Sequence, residues 1–303
     1  MAHHKSKTWP KDVNQKQFIL ESYELATYQL AEKYKCNERT IRDWKELLRF
    51  RGMKHGSGGF PTPARKSWTD QIHLKLENYL VLGDIECPDH NAELLDMVVS
   101  IGHKYEIEDL VLNGDAISMD SISSWAKSFA DPTVFADEVR PLKGILVEFL
   151  KHFPKTRYLP ANHERRLAHL TEGQITFADH IADMGCEFTE YPYLYVHDPH
   201  NENNITIVGH PDNFSRVAGS VPRNLARTFH YNLITGHTHR LSLQWDDSGK
   251  YFLAEGGHAR KIEYTAYRQL RFNTYPQWNA GFVLVINSQP HLINPDNIDF
   301  YLR

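Results

Sequence analysis

Residues 233–240 read LITGHTHR, an apolar run that stops at a glycine and opens onto two histidines separated by one threonine. The run from Tyr231 to Thr235 has the length and residue types of a buried strand, and Gly236 marks its exit. Alternate side chains of an extended segment point the same way, so His237 and His239 can serve two neighbouring ions from a single loop. Four more segments share this plan: LVLGDIECPDH at 80–90, LVLNGD at 110–115, YLPANHERR at 158–166 and TIVGHP at 206–211. Each is a strand that ends in residue types able to bind metal. A lone Gly-Asp after a strand is ordinarily a turn, and a lone histidine is ordinarily structural. Five such strand ends in one chain are a different signal, because the carboxyl edge of an open α/β sheet is where loops converge on a crevice.

The strands expected from these segments are Tyr79–Gly83, Leu110–Asn113, Arg157–Pro160, Ile205–Gly209 and Tyr231–Thr235. Helical spacing of apolar residues fits 92–103, 132–152 and 175–184, so strands alternate with helices in an α/β domain. Further apolar runs at Leu241–Trp245, Tyr251–Ala254 and Gly281–Ile286 follow, the first two separated by the turn residues Asp246-Asp247-Ser248-Gly249. They predict antiparallel closing strands. There is no internal repeat and no low-complexity tract.

The N-terminal part differs in character. Residues 1–54 hold twelve Lys/Arg against seven Asp/Glu, while the whole chain carries a net charge of -4. A basic segment on an acidic body points to a polyanionic partner, with a solvated helical surface as the alternative. From Gln15 to Arg49, apolar residues recur at helical spacing with breaks near Ala26-Thr27 and Cys36-Asn37, which predicts three short helices with Asn37 capping the third. Thr27 to Trp44 resembles a helix-turn-helix, except that Lys35 stands at the turn position where glycine is common. Residues 52–66, GMKHGSGGFPTPARK, are rich in Gly, Pro and basic residues without periodicity and read as a linker. The expected division is a helix-turn-helix unit at 1–51, a linker at 52–68 and a large domain at 69–303.

Hydrophobic residues make up 41% and charged residues 24%, and no apolar run approaches the roughly 20 residues that span a bilayer. The basic, polar N-terminus lacks the apolar stretch of a secretory signal, and Cys36, Cys87 and Cys186 are too few and too scattered for a disulfide framework. A cytoplasmic protein without a membrane partner is the expectation.

Taken together and in order, the five strand-end motifs resemble the calcineurin-like metallophosphoesterase family from about residue 78 to about 258. The resemblance implies a four-layer α/β/β/α sandwich, beside the small all-α N-terminal unit. It also implies a site for two divalent ions that hydrolyses phosphate esters. Such chemistry needs two cations about 3.5 to 4 Å apart, which activate water and relieve charge on the phosphoryl group. By this resemblance Asp115 bridges the ions. Asp84 and His239 complete metal one, with Asn162, His210 and His237 on metal two. His163 acts on the leaving oxygen. Mixed oxygen and nitrogen ligands suit Mn²⁺ best, with Fe, Zn²⁺ and Mg²⁺ as alternatives. Arg165 or Arg166 is placed to clamp the substrate phosphate, or else lies on a helix surface.

Several positions depart from the family pattern. The first motif is usually Asp-x-His, yet here it is Asp84-Ile85-Glu86, so Glu86 or the nearby His90 is the candidate ligand. Ser118 stands where a second Asp is usual, which leaves Asp120 to orient His163. Ala161 replaces a Gly and requires a backbone that avoids positive φ. The late segments AEGGH at 254–258 and YPQWNAGFVLV at 275–285 look like the closing strands of relatives from phage genomes. There Trp278 reads as core and His258 as a residue near the site.

The function expected is hydrolysis of phosphodiester bonds in nucleic acid, with Arg39, Arg42 and Lys45 on a recognition helix meeting phosphates or base edges. Two alternatives stay open at this point: action on a nucleotide, small molecule or phosphoprotein, and a DNA-binding scaffold whose phosphoesterase site has lost activity.

Overall fold

The computed structural model describes residues 10, 13–14, 17–18, 21–22, 25–51 (backbone alone from 46), 69–123, 134–265 and 278–303. The chain divides into two compact units, Met1–Asp70 and Gln71–Arg303. The expected linker at 52–68 lies outside the described residues, as does much of the first expected helix.

In the first unit, helix α1 (Thr27–Lys33) is followed by a turn and by α2 (Glu38–Arg51). Asn37 caps α2, its Oδ1 accepting from Thr40 N at 2.8 Å. Lys35 adopts φ 49, the left-handed conformation for which a glycine would be favoured, so the turn is kept at the cost of local strain. Phe18, Leu30, Ala31 and Ile41 form a small core that Tyr34 and Trp44 close by aromatic edge contacts. Glu21 is buried beside it and accepts from Lys33 Nζ, Tyr34 OH and Gln17 Nε2.

Among its described residues the second unit carries twelve strands: β1 (His73–Lys75), β2 (Tyr79–Leu82), β3 (Asp109–Asn113), β4 (Lys155–Leu159), β5 (Glu187–Phe188), β6 (Tyr193–Asp198), β7 (Asn201–Gly209), β8 (Asn232–Thr235), β9 (Leu241–Trp245), β10 (Phe252–Gly256), β11 (Phe282–Ile286) and β12 (Gln289–Ile293). Its helices are α3 (Ala92–Lys104), α4 (Phe135–His152), α5 (Asn162–Leu170), α6 (Ala178–Ile181), α7 (Ser220–Phe229) and α8 (Ile298–Leu302). The strands form two six-stranded sheets, ordered β12-β11-β2-β3-β4-β5 and β1-β6-β7-β8-β10-β9. Strands β2 to β5 run parallel, as do β7, β8 and β10. The closing pairs β9–β10 and β11–β12 are antiparallel, and the turn between the first of these is held by Asp246.

Strand alternation assigns the layers. On β2, Tyr79 and Val81 join Val111, Leu159, Val208, Ile234 and Val283 in a core between the two sheets, whereas Leu80 and Leu82 pack with α3 and α4 residues such as Val98 and Leu146. On the far side of the other sheet, Ile207, Leu233 and Leu253 meet Ala226 and Leu225 of α7. The result is a helix, sheet, sheet, helix sandwich. Because both faces of β2 and β3 are covered, every residue in them is buried, which is why they read as unbroken apolar runs rather than alternating ones.

One expected helix is shorter than its periodicity suggested. The 175–184 segment begins only after Asp179 has accepted from Thr176 N and Oγ1, runs as α6 plus a single 3-10 turn, and stops at Gly185 with φ 84. Among the described residues no helix is long and apolar enough to cross a membrane.

Candidate metal centre

The carboxyl ends of β2, β3 and β4 are neighbours in one sheet, and those of β7 and β8 are neighbours in the other. The residues that follow these ends gather into three sets whose ligand atoms lie within 4.8 Å of one another: Asp115, His210 and His237; Asp84, Glu86 and His239; and Glu86, Asp115 and His163. Asp115 and Glu86 each belong to two sets and so link them. His210 Nε2 lies 3.3 Å from Asp115 Oδ2, while His239 Nε2 lies 3.1 Å from Asp84 Oδ1 and 2.9 Å from Glu86 Oε1.

Local backbone geometry produces this convergence, and it differs from the expected extended loop. His237 and His239 adopt φ 80 and 57, and Asp84, Glu86 and Asp115 adopt φ 53, 49 and 47. The two histidines therefore reach different sets through left-handed turns rather than through strand alternation. Left-handed residues without a glycine's freedom are strained, and such strain persists where surrounding contacts enforce it. Here Thr238 Oγ1 donates to the buried Glu255 at 2.8 Å, His237 N donates to Asp84 Oδ2 at 3.1 Å, and Asn279 N donates to the His239 carbonyl at 2.9 Å. Gly114 combines φ 73 with a site where a Cβ would stand 2.5 Å from Ala161 Cβ and 2.8 Å from His210 Nδ1. Ala161 itself has φ -122, so its extra methyl is tolerated.

A second anchor was not foreseen from sequence. Glu164, in the first turn of α5, is buried and accepts from four donors: Asp115 N, Ala116 N, Ala161 N and Tyr158 OH, at 2.7 to 3.2 Å. It ties the loop after β3 to the start of α5, which fixes Asn162 and His163 beside Asp115. Its position three residues after Ala161, the cap residue before α5, is the readable signal, that of a capping-box glutamate. Burial first, and then the charge of Asp115, raise the Glu164 carboxyl above the ordinary range.

The electrostatics are those of a site built for cations. Asp84, Glu86 and Asp115 are all at most 1% exposed. Burial alone would raise Asp115, but His163 and His210 outweigh it and hold the carboxyl well below the ordinary range; Asp84 is lowered against burial by His210 and His239. His210 is raised to about 9, because Asp115 and Asp84 together exceed the effect of burial, while burial first and then the His210 charge lower His237. The Asn113 carbonyl lies 2.7 Å from His210 Nδ1 and so takes its N–H, which directs the Nε2 lone pair of a neutral ring at a carboxylate. Asp84 Oδ1, Asn162 Oδ1 and His210 Nε2 are buried without hydrogen-bond partners. Buried polar atoms left without a partner are costly, and together with the three ligand sets they make a donor set that fits divalent metal ions.

His163 faces the centre, with Nε2 3.7 Å from Asp115 Oδ2, but its Nδ1 lies against the Ile117 carbonyl at 3.2 Å. That carbonyl orients the ring. Asp120 lies 3.9 Å from Arg166 and 4.0 Å from Arg260. Arg166 donates to the Ser118 carbonyl at 2.7 Å and so braces the loop, while Arg165 is exposed on α5. Ser118 is buried and donates to the Glu86 carbonyl at 3.0 Å. His90 belongs to none of the three sets; its Nδ1 lies 3.0 Å from the Pro88 carbonyl. Trp278, expected in the core, is half-buried with its ring centroid 4.3 Å from that of His239, and His258 is fully buried at 5.5 Å from His239. Arg260 was missed altogether: its guanidinium pairs with Glu86 and with Asp89. On α2 of the other unit, Arg39 and Arg42 are exposed and Lys45 is half-buried.

No protein-family model matches the sequence, and no curated protein does. Solved structures with a similar fold include Yfce, a phosphoesterase from E. coli, at 14% identity and TM-score 0.38, covering 71% of this chain and 96% of that one. They also include PH1004 from Pyrococcus horikoshii OT3, at 12% identity and TM-score 0.45, with coverage of 74% and 91%. A third is Vps29 complexed with Zn²⁺ from Entamoeba histolytica, at 13% identity and TM-score 0.35, with coverage of 68% and 84%. At such identities and TM-scores nothing about chemistry passes from those proteins to this chain.

Proposed function

We propose that this chain is a metal-dependent phosphoesterase that hydrolyses phosphodiester bonds in nucleic acid. The observation that carries the reading is the run of linked ligand sets, from His237 and His210 through Asp115 and Glu86 to His239 and Asp84, with Asn162 Oδ1 buried and unpaired beside them. Asp115, His210, His237 and Asn162 would hold one ion, and Asp84, Glu86 and His239 the other, with Asp115 shared. When bound, two divalent ions, best Mn²⁺, activate water and offset the charge of the phosphoryl group. The chain's own residues do the rest. Glu164 and the His163 N–H, which donates to Asp115 Oδ1 at 3.1 Å, hold the shared carboxylate in one orientation. With its Nδ1–H donated to the Ile117 carbonyl, His163 turns its Nε2 to the centre, where the doubly protonated ring would give the Nε2 proton to the departing oxygen and be left neutral.

The choice of nucleic acid is supported by the basic N-terminal segment, with exposed Arg39 and Arg42 one turn apart on α2 and Lys45 a further turn on. The test is hydrolysis of bis-p-nitrophenyl phosphate beside cleavage of single- and double-stranded DNA, with Mn²⁺ or EDTA. DNA cleavage that needs Mn²⁺ and falls at least about 100-fold in Asp115→Asn is the expected result. Turnover of the small ester alone favours a nucleotide or small-molecule substrate, and no turnover with any metal overturns the reading.

A further inference from the structure

Glu86 is held in a way that no other carboxylate of the centre is. Its Oε1 faces His239 Nε2 at 2.9 Å, and its Oε2 is taken by Arg260 Nη1. The second guanidinium nitrogen of Arg260 donates to Asp89 Oδ2 at 2.6 Å, so a single fork clamps two carboxylates three residues apart. Both Arg260 and Glu86 are at most 2% exposed. The backbone around the arginine is stitched to the same loop: Ala259 N donates to the Asp84 carbonyl at 3.0 Å, Lys261 N to the Asp89 carbonyl at 2.7 Å, and Asn91 N to the Ala259 carbonyl at 2.7 Å. A buried arginine fixed at this many points is part of a built arrangement, since leaving its charge unpaired would be costly.

The chemistry of the division matters. A free glutamate can chelate an ion with both oxygens, and Ca²⁺, which takes six to eight oxygen ligands, commonly uses a bidentate carboxylate. With Oε2 committed to Arg260, Glu86 offers one oxygen. The Asp84, Glu86 and His239 set is then short of oxygens for Ca²⁺, and it keeps an imidazole that suits transition metals. The guanidinium also offsets one of the three buried negative charges.

Resting on the metal-dependent reading above, we infer that Arg260 is a positioning residue that restricts Glu86 to one-oxygen ligation and thereby makes the centre select Mn²⁺ over Ca²⁺. The test uses the full chain stripped with EDTA, titrated separately with Mn²⁺ and with Ca²⁺ by calorimetry. For Arg260→Gln the freed Glu86 oxygen raises Ca²⁺ affinity about 10-fold while Mn²⁺ affinity changes by less than about threefold, so selectivity collapses. Arg260→Lys does not restore it, because a single ammonium cannot hold Glu86 and Asp89 together. Asp89→Asn loosens the arginine without leaving Glu86 unpaired; it shifts selectivity the same way by about threefold and keeps the test alive if Arg260→Gln fails to fold. Equal losses for both cations, or wild-type selectivity in Arg260→Lys, would overturn the inference alone. A wild-type chain that binds no Mn²⁺ would overturn it together with the functional reading.

Discussion

The two halves of the metal centre are built differently. The half formed by Asp115, His210 and His237 is rich in imidazole and is fixed by backbone and carboxylate partners close in the fold, the Asn113 carbonyl on His210 and Glu164 on the Asp115 loop. The half formed by Asp84, Glu86 and His239 is rich in carboxylate and depends on a cation brought from beyond β10, Arg260. The proposed pair of ions would thus sit between one half whose charge is balanced by its own ligands and another whose charge is balanced from outside. The two should respond differently to protons and to mutation.

The largest effect is expected where the halves meet. Asp115→Asn should empty both, with turnover lost as described above. Glu164→Ala should come next: four buried donors lose their acceptor at once, which costs at least about 3 kcal/mol of stability, measurable by urea unfolding of the metal-free chain. Retention of wild-type stability would mean that the loop after β3 is fixed by something other than Glu164.

Protons separate the halves. In the metal-free protein His210 is raised to about 9. Its protonated form therefore adds stability that is complete below about 6.5 and lost as pH rises through about 9. A metal ion must displace that proton, so affinity at the imidazole-rich half should climb with pH up to about 9. Asp84 is lowered and already ionised at neutral pH, so its own titration should add nothing to the pH dependence of the other half there. Calorimetry at several pH values in buffers of different ionisation enthalpy would show proton release of this kind; its absence would remove the distinction. The smallest expected effects come from the aromatic rims. Trp278→Ala, whose ring lies 4.3 Å from that of His239, should weaken metal binding by roughly twofold to tenfold. Phe214→Ala, at 6.3 Å from His237 and 56% exposed, should do less. An equal loss from both would mean that rim packing does not distinguish the halves.

The strands that carry the centre were legible because both of their faces are covered, which leaves unbroken apolar runs ending in Gly, Asp, Asn or His. Strand β6 was not, since its half-buried alternation of Tyr193, Tyr195 and His197 offers no such run. Within the centre, the residue types at each strand end pointed to ligands, but their partners did not announce themselves. Arg260 and Glu164 become meaningful only once folding brings them against residues 174 and 48 or 49 positions away. Helix spacing does mark Glu164 as a cap, whereas a lone arginine after a strand carries no local signal. The left-handed backbone of five candidate ligands was equally hidden, because Asp, Glu and His adopt it here only under tertiary constraint.

The central claim is that the two halves hold a pair of ions through one shared carboxylate. Metal content of the full chain after equilibrium dialysis against Mn²⁺ tests it most directly. About two ions per chain in the wild type and fewer than about one in Asp115→Asn is the result predicted for a shared-carboxylate site. No bound metal in the wild type, or the same content in both proteins, would contradict it.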